Sequence, residues 1–412
     1  GADVVDGTPT YTSHDAAGNL LIDEGVTIRA GDLVSLAGEN VTARDVTAGT
    51  TLAITADTTV TLGGDLLAAG PGAGGTAITF TDGGGDLDVD LITDVSLTAI
   101  NNGIDMNTTT LDGNYALDID AGTGANADVT LGTIGGATAL QSVTVSAIGT
   151  GTTTLNGNIT TVNDLNLSAA TDVNLVGART LTSNLGNVHV DGGDVAGAGL
   201  LTLAATAGDV YLGAMALTGG LTATAGRDIT DSGTVTVSGA AATLTAGGDV
   251  NLGTLALAAA QDLDLAVVGD ATIINTVALD FAESEVGGDL DATATTGTIT
   301  DAGAVTVGGS ATFFTDEDDV NIDLGTLAVT GPIVLTTSGT TGDASITNAT
   351  QIDLATSTIN GDLTVVATTG DIADSGTITV NGADATFTTS AAGADINLGS
   401  LVVANTGDID VN

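Results

Sequence analysis

The sequence of 412 residues has no cysteine, no tryptophan and no lysine, and it contains 51 acidic residues but only four arginines. Without cysteine, the chain cannot form a disulfide, a thiolate zinc site or an iron–sulfur cluster. Without lysine, it cannot hold a phosphate in a P-loop or form a Schiff base. The formal net charge of -47 would repel a phosphate backbone and an anionic membrane surface, so we expect no nucleic-acid partner.

Aromatic residues make up 2% of the chain and there are only three prolines, yet the composition is not that of a disordered chain. Hydrophobic residues reach 42% and the mean hydropathy is +0.39, whereas disordered segments are polar. Valine, isoleucine, leucine and alanine supply the apolar set, so we expect an interior packed from small aliphatic side chains. No apolar stretch approaches the length of a membrane span, so the sequence predicts no membrane-spanning segment.

Strand patterns occur throughout the chain. Glycine, threonine, valine and aspartate are abundant, and all four are poor helix formers. Apolar and polar residues alternate with a period of two at Thr58–Leu62, Thr234–Val237 and Thr377–Val380, and turn residues end such stretches. The sequence therefore predicts an all-β chain.

The shortest internal repeat is an acid or amide, an aliphatic residue, any residue and a second aliphatic residue. We interpret each copy as a turn residue followed by a short strand whose two aliphatic side chains face inward. Copies read DVNL at Asp172–Leu175 and Asp249–Leu252, NVHV at Asn187–Val190, and DINL at Asp395–Leu398.

A longer block of about 70 residues contains the short repeats. Its copies differ most in length at one place, just before the DVNL-type strand, which is typical of a surface loop. The block is too long for a single solenoid coil, and division by three gives coils of about 20–25 residues. The three copies begin at Leu221, Leu290 and Leu363, and an aspartate turn recurs 70 and 73 residues apart at Asp231, Asp301 and Asp374.

These repeats predict a parallel, right-handed β-helix solenoid with about three short strands per coil and on the order of 18 coils in one continuous rod. We expect residues 121–412 to form its regular part and residues 1–120 a less regular segment. A β-sandwich would not show a 70-residue block, and a propeller would normally show Trp–Asp blade signatures. The side chains predicted to face inward are Val237, Val250, Leu252, Leu255, Val307, Phe313, Ile322, Leu327, Val380, Phe387, Ile396 and Leu398.

The repeat style resembles a known class of exported proteins. AGGDVNLGTL at Ala246–Leu255 and TTGDIADSGTITVNG at Thr368–Gly382 are similar to the β-helical shafts of bacterial filamentous-haemagglutinin-type exoproteins and of autotransporter passengers. The resemblance implies a secreted protein that is extracellular or held at the cell surface. It also implies partners among cell-surface or matrix components, or copies of the chain itself joined end to end. The NPNL-type motif of the amino-terminal secretion domain of such exoproteins is absent.

The carboxy-terminal residues bear on the same expectation. Asp408–Asn412 lies within a fresh copy of the short repeat and no polar cap follows it, whereas solenoids normally need capping repeats. We therefore expect either a segment of a longer shaft or a subunit whose ends stack on the next copy.

The sequence predicts no catalytic residues, although β-helices include polysaccharide lyases and hydrolases. Those lyases need a basic residue beside calcium-binding acids, and here the arginines are single and far apart. The doublet Asp318–Asp319 has neither His14 nor His189 near it in sequence, and the G-x-S-x-G pattern of serine hydrolases is absent. A polysaccharide-degrading enzyme is the third hypothesis.

Calcium is the one metal that the sequence suggests, and no cofactor is required. Oxygen-rich loops suit Ca²⁺, and Asp86, Asp88 and Asp90 alternate along one strand and so face the same side. A solvated acidic face is the alternative, because no EF-hand loop or nonapeptide calcium repeat is present. The candidate calcium ligands crowd one loop and are Asp316, Glu317, Asp318, Asp319 and Asp323.

The leading hypothesis for function is a non-enzymatic extracellular shaft or adhesin, in which a stiff acidic solenoid forms or extends a surface fibre. A sheath, matrix or surface-layer protein of a saline habitat is the alternative, because abundant aspartate and missing lysine resemble salt-adapted surfaces.

Overall fold

A computed structural model describes residues 10–12, 18–22, 28–70, 75–83, 87–124, 127–146, 148–258, 261–404 and 407–412. These residues contain 49 β-strands and no helix. The chain forms two compact units, Gly1–Ala216 and Leu217–Asn412. In each unit the strands pair in parallel and stack as a β-solenoid, with about 18 turns in the two units together. The predicted fold class and number of coils are confirmed.

The first 24 strands are β1 (Thr10–Thr12), β2 (Leu20–Leu21), β3 (Ile28–Ala30), β4 (Val34–Ala43), β5 (Val46–Ala48), β6 (Leu52–Leu62), β7 (Leu66–Ala68), β8 (Thr76–Asp82), β9 (Leu87–Leu91), β10 (Val95–Ala99), β11 (Gly103–Asp112), β12 (Ala116–Asp120), β13 (Val129–Ile134), β14 (Ser142–Ser146), β15 (Ile148–Leu155), β16 (Ile159–Thr161), β17 (Leu165–Asn166), β18 (Ala170–Leu175), β19 (Arg179–Ser183), β20 (Val188–Val190), β21 (Asp194–Gly197), β22 (Leu201–Ala205), β23 (Val210–Leu212) and β24 (Met215–Leu217).

The remaining strands are β25 (Leu221–Ala225), β26 (Ile229–Asp231), β27 (Val235–Val237), β28 (Ala242–Ala246), β29 (Val250–Leu257), β30 (Asp262–Val267), β31 (Ala271–Asn275), β32 (Leu279–Phe281), β33 (Ser284–Val286), β34 (Leu290–Ala294), β35 (Ile299–Asp301), β36 (Val305–Val307), β37 (Ala311–Asp318), β38 (Ile322–Val329), β39 (Ile333–Ser338), β40 (Ala344–Asn348), β41 (Ile352–Leu354), β42 (Ser357–Ile359), β43 (Leu363–Ala367), β44 (Ile372–Asp374), β45 (Ile378–Val380), β46 (Asp384–Thr389), β47 (Ile396–Asn397), β48 (Leu401–Val403) and β49 (Asp408–Val411).

Alternation with a period of two places the core inside the coils. In β22 the side chains of Leu201, Leu203 and Ala205 are buried, and the residues between them are partly exposed. Strands β28 and β40 show the same pattern. Because successive side chains of a strand point to opposite faces, one face of these strands fills the interior with aliphatic groups and the other carries threonine and polar residues.

In the unit Leu217–Asn412 the strands form two stacks, which we call A and B. Stack A runs through β25, β28, β30, β32 with β33, β35 with β36, β38, β40, β43, β46 and β49. Stack B runs through β26 with β27, β29, β31, β34, β37, β39, β41 with β42, β44 with β45, and β47 with β48. A coil that contributes to both stacks therefore has two or three strands.

The 70-residue block contains three and a half coils. Seven successive pairings in stack A lead from Leu221 in β25 to Leu363 in β43. The 142 residues between these positions correspond to about 20 residues per coil. Leu290, which begins the middle block, lies in β34 of stack B. Our division of the block into three coils was therefore wrong, because each block ends half a coil away from where it began.

Equivalent residues of successive blocks make the same contact in opposite stacks. Asn275 lies in β31 of stack B and Asn348 lies in β40 of stack A, and both are fully buried. The side-chain oxygen of Asn275 accepts the backbone N–H of Leu257 at 2.9 Å, and that of Asn348 accepts the N–H of Val329 at 2.8 Å. These amides therefore bridge adjacent coils inside an otherwise apolar interior, with their polar groups paired as burial requires.

The predicted core is confirmed at ten of its twelve positions, all of which are buried. Ile396 and Leu398 are only half-buried. Strand β47 pairs with β44, and no strand covers its other side in the part of the chain that the structure describes. Ile396 and Leu398 are therefore less buried because they lie in the last coil of the stack that the structure describes, and the strand register that we inferred is correct.

Thr153 interrupts the aliphatic interior of the unit Gly1–Ala216. It lies in β15 between Val129 and Val173 of the adjacent coils, it is fully buried, and its hydroxyl group has no hydrogen-bond partner among the described residues. Burying an unsatisfied hydroxyl costs about 1–3 kcal/mol. We expect Thr153→Val to raise the free energy of unfolding in urea by about 1 kcal/mol. Thr152→Val, at the half-buried neighbouring position, is the control, and an equal effect of both substitutions would contradict this explanation.

Candidate functional site

Aspartates connect the coils at one corner of stack B. The N–H of Asp270 donates to Oδ1 of Asp249 at 2.8 Å, and the N–H of Asp289 donates to Oδ1 of Asp270 at 2.8 Å. The series starts with Oδ1 of Asp228, which accepts the N–H of Asp249 at 2.9 Å, and ends with Oδ1 of Asp289, which accepts the N–H of Ser310 at 2.7 Å. We call these four carboxylates the aspartate ladder.

A glycine before each residue that donates its N–H makes room for the carboxylate of the preceding coil. A Cβ atom on Gly269 would lie 2.0 Å from Oδ1 of Asp249, and one on Gly288 would lie 2.0 Å from Oδ1 of Asp270. Both distances are far below van der Waals contact, so a side chain at either glycine would force the carboxylate or the coil to move. At these positions the glycine makes room for one carboxylate and the aspartate that follows supplies the next.

A second ladder forms on stack A. Oδ1 of Asn321 accepts the N–H of Asp343 at 2.9 Å, Oδ1 of Asp343 accepts the N–H of Asp362 at 2.8 Å, and Oδ1 of Asp362 accepts the N–H of Asp384 at 2.9 Å. The change of stack follows from the three-and-a-half-coil block. Asn321 shows that a neutral amide oxygen can occupy a ladder position with the same geometry.

The aspartate turns of the three blocks hold the next coil in a second way. Oδ1 and Oδ2 of Asp301 accept the backbone N–H groups of Gly325 and Thr326, each at 2.7 Å. Asp231 and Asp374 accept two consecutive N–H groups in the same manner. Carboxylate acceptors form stronger hydrogen bonds than neutral ones. Each aspartate turn therefore stabilises the contact between its own coil and the next coil.

Hydrogen bonding lowers the pKa values of two aspartates, and burial raises those of two others. The backbone N–H of Ser310, and next its side chain, hold the pKa of Asp289 below the ordinary 3.8. The backbone N–H groups of Thr340 and Thr341 lower the pKa of Asp319. Burial raises the pKa values of the other two, with a further contribution from neighbouring carboxylates: Asp112 and Asp88 beside Asp90, and Glu283 beside Asp264.

The predicted calcium ligands are placed along the end of β37, the following turn and the start of β38. All five side chains are exposed. Oε2 of Glu317 accepts the N–H of Gly297 at 2.7 Å, and Oδ1 of Asp319 accepts the N–H groups of Thr340 and Thr341 at 2.7 and 2.9 Å. Among the described residues no three acidic or histidine side chains converge into a group that could hold a metal ion. Calcium binding by Asp316, Glu317, Asp318, Asp319 and Asp323 stays a prediction.

The second acidic group lies on β9 and β11. Asp88 and Asp90 are both exposed on the same side of β9, as the alternation predicts, and Asp86 lies outside the described residues. Asp112 of β11 lies opposite Asp90 in the parallel register. The carboxylates of adjacent coils are therefore aligned on the surface.

His189 does not join the acidic doublet. The ring of His189 stacks on that of Tyr211 in the adjacent coil, with centroids 4.4 Å apart, and its Nδ1 lies 3.7 Å from Oδ1 of Asp191. The hydroxyl group of Tyr211 donates to Asp209 at 3.1 Å. His14 lies outside the described residues. His189 is thus part of a polar column along the coils, at an outward position as predicted.

Comparison with known proteins gives one match. A family described as repeats of unknown function (DUF5649) matches residues 198–258, 268–336 and 341–411, and each match contains one of the aspartate turns. No curated protein matches the sequence, and no solved structure does. Within the described residues, no helix is long and apolar enough to span a membrane.

Salt should stabilise the protein, because acids of adjacent coils lie opposite one another. Asp90 faces Asp112, and Asp262 faces Asp280, and two charges about 4 Å apart repel by about 1 kcal/mol even in bulk water. We expect the melting temperature to rise with NaCl concentration. Ca²⁺ titrated at constant ionic strength separates screening from a site, because only a site saturates at low Ca²⁺. A melting temperature that ignores salt and chelator would contradict both.

Proposed function

We propose that the protein is a non-enzymatic extracellular structural shaft or adhesin that forms or extends a surface fibre. The observation that carries this proposal is that many acidic side chains form hydrogen bonds between adjacent coils. In the ladders and the aspartate turns, the carboxylates accept hydrogen bonds from backbone N–H groups of the next coil, so the repeated polar residues hold the solenoid together. Parallel backbone pairing along each stack adds to this cohesion.

The resemblance to filamentous-haemagglutinin-type and autotransporter repeats supports export to the cell surface or beyond. On this proposal the partners are cell-surface or matrix components, or further copies joined end to end. Ca²⁺ bound at Asp316, Glu317, Asp318, Asp319 and Asp323 would be an accessory ion in this role, since no cofactor is needed for a mechanical function.

A sheath, matrix or surface-layer protein is the second candidate. The exchange of equivalent residues between stacks A and B favours it, because the same surface pattern then occurs on two sides of the solenoid. Two-sided surfaces suit lateral arrays, in which each copy contacts neighbours on both sides. The high negative charge would then have to be screened by salt.

Electron microscopy of native material, labelled with an antibody against the chain, tests the proposal. Discrete fibres that project from cells support the shaft, and a continuous labelled layer supports the sheath. Label confined to the cell interior would contradict both. A screen for polysaccharide cleavage by the purified chain tests the enzyme hypothesis, and activity there would overturn the non-enzymatic function.

A further inference from the structure

We propose that the aspartate ladder is an acid-sensitive fastener, so that the coils separate when its carboxylates become protonated. The proposal rests on geometry: four consecutive carboxylates, those of Asp228, Asp249, Asp270 and Asp289, each accept the N–H of the corresponding residue one coil further on. Each bond crosses from one coil to the next.

Protonation weakens a ladder bond, because a hydrogen bond to an ionised carboxylate is roughly twice as strong as one to a neutral acceptor. Asp249, Asp270 and Asp289 are exposed, so protons from the solvent reach these carboxylates directly.

The wider charge works in the opposite direction. The chain carries a net charge of -47, so acid relieves repulsion while it weakens the ladder. The charged groups on the strands that pack against the ladder are acids, and one arginine, Arg227, directly precedes Asp228. In the described residues these acids are Asp231 of β26, Asp262 and Asp264 of β30, Glu285 of β33, Asp291 of β34, and Asp316, Glu317 and Asp318 at the far end of β37.

The two effects occur in different pH ranges. Asp264 has a raised pKa, so it opposes folding at neutral pH and its repulsion is relieved early as the pH falls. Asp289 has a lowered pKa, so its contribution is complete above the unfolded value of 3.8 and is lost as the pH falls through the folded value. Stability is therefore expected to rise slightly on mild acidification and to fall again as the pH drops through the folded pKa of Asp289.

Thermal unfolding of the full chain, followed by circular dichroism between about pH 7 and pH 2 at fixed ionic strength, tests the fastener. The informative variant is Asp270→Asn with Asp289→Asn, because Asn321 already holds this position elsewhere in the chain. The matched control is Asp172→Asn with Asp410→Asn, which removes the same charge at exposed positions that are neither in the ladder nor on the strands packed against it. We expect the ladder variant to shift the acid transition to lower pH and the control to keep the wild-type transition.

Two outcomes would overturn the proposal. One is a wild-type melting temperature that rises continuously to about pH 2, which would show that relief of repulsion dominates. The other is an equal shift in both variants, which would show a general effect of charge. If the ladder variant does not fold, amide hydrogen exchange of the wild type decides. The fastener requires the N–H groups of Asp289 and Ser310 to lose protection at higher pH than the N–H groups within β31 and β34, and simultaneous loss would contradict it.

Discussion

Truncation of Phe313 to alanine is expected to lower the free energy of unfolding by about 3–5 kcal/mol. The ring lies in β37 between Ala292 and Leu335 of the adjacent coils and is fully buried. Neighbouring coils are held in register by backbone pairing, so they cannot collapse into the cavity without breaking those bonds. Phe387, which is also fully buried, is expected near the lower end of this range, because Val411 on its open side is 57% exposed.

Phe314 is the matched control for Phe313. It follows directly in the same strand, points to the other face and is half-buried. Phe314→Ala should therefore cost clearly less in urea denaturation followed by circular dichroism. Equal losses at both positions would mean that the strand register is shifted by one residue.

Gly288→Ala is expected to destabilise the protein by about 1–3 kcal/mol, the usual cost of overpacking. The added Cβ atom would lie 2.0 Å from Oδ1 of Asp270 and 2.8 Å from the carbonyl oxygen of Gly269. Relief of that contact requires the ladder bond to break or the coils to move apart. The direction of the effect is informative, because replacing glycine by alanine at an unstrained position normally stabilises by about 0.4–1 kcal/mol.

Gly325→Ala provides the comparison. This glycine lies in β38, and the nearest atom to a Cβ there is Oδ1 of Asp301 at 3.9 Å, an ordinary contact. We expect this variant to be as stable as the wild type or slightly more stable. If both glycine variants change the unfolding free energy alike, close packing against the ladder is not what selects glycine at position 288.

The fold was predictable because strand alternation is a local property. Each short repeat places two aliphatic side chains on one face, and the burial of Val250 and Leu252 follows from that pattern alone. The half-coil offset was not predictable in this way. It depends on which strand lies above which, and the middle block, from Leu290 onward, has the same local pattern whether it belongs to stack A or stack B.

The role of the acids was only partly accessible from the sequence. Asp249 was interpreted as a turn residue, but its carboxylate accepts the N–H of Asp270, which lies 21 positions further along the chain. The Gly–Asp order at positions 248–249, 269–270 and 288–289 was the signal that could have revealed the ladder, since a turn alone does not require glycine before an aspartate. The exposed acids near Asp319 were predicted to bind calcium because they are close together in the sequence. In the structure Glu317 and Asp319 accept backbone N–H groups of other coils.

The half-coil remainder of each block constrains how a chain of this kind can change in length. Duplication or loss of one block leaves the interior intact, because both stacks accept the same strands. It nevertheless turns everything downstream to the opposite side of the solenoid. Two blocks restore the original side, since Leu221 and Leu363 lie in the same stack. A lineage that depends on a surface on one side should therefore vary by even numbers of blocks, whereas one that uses both sides is free to vary by one.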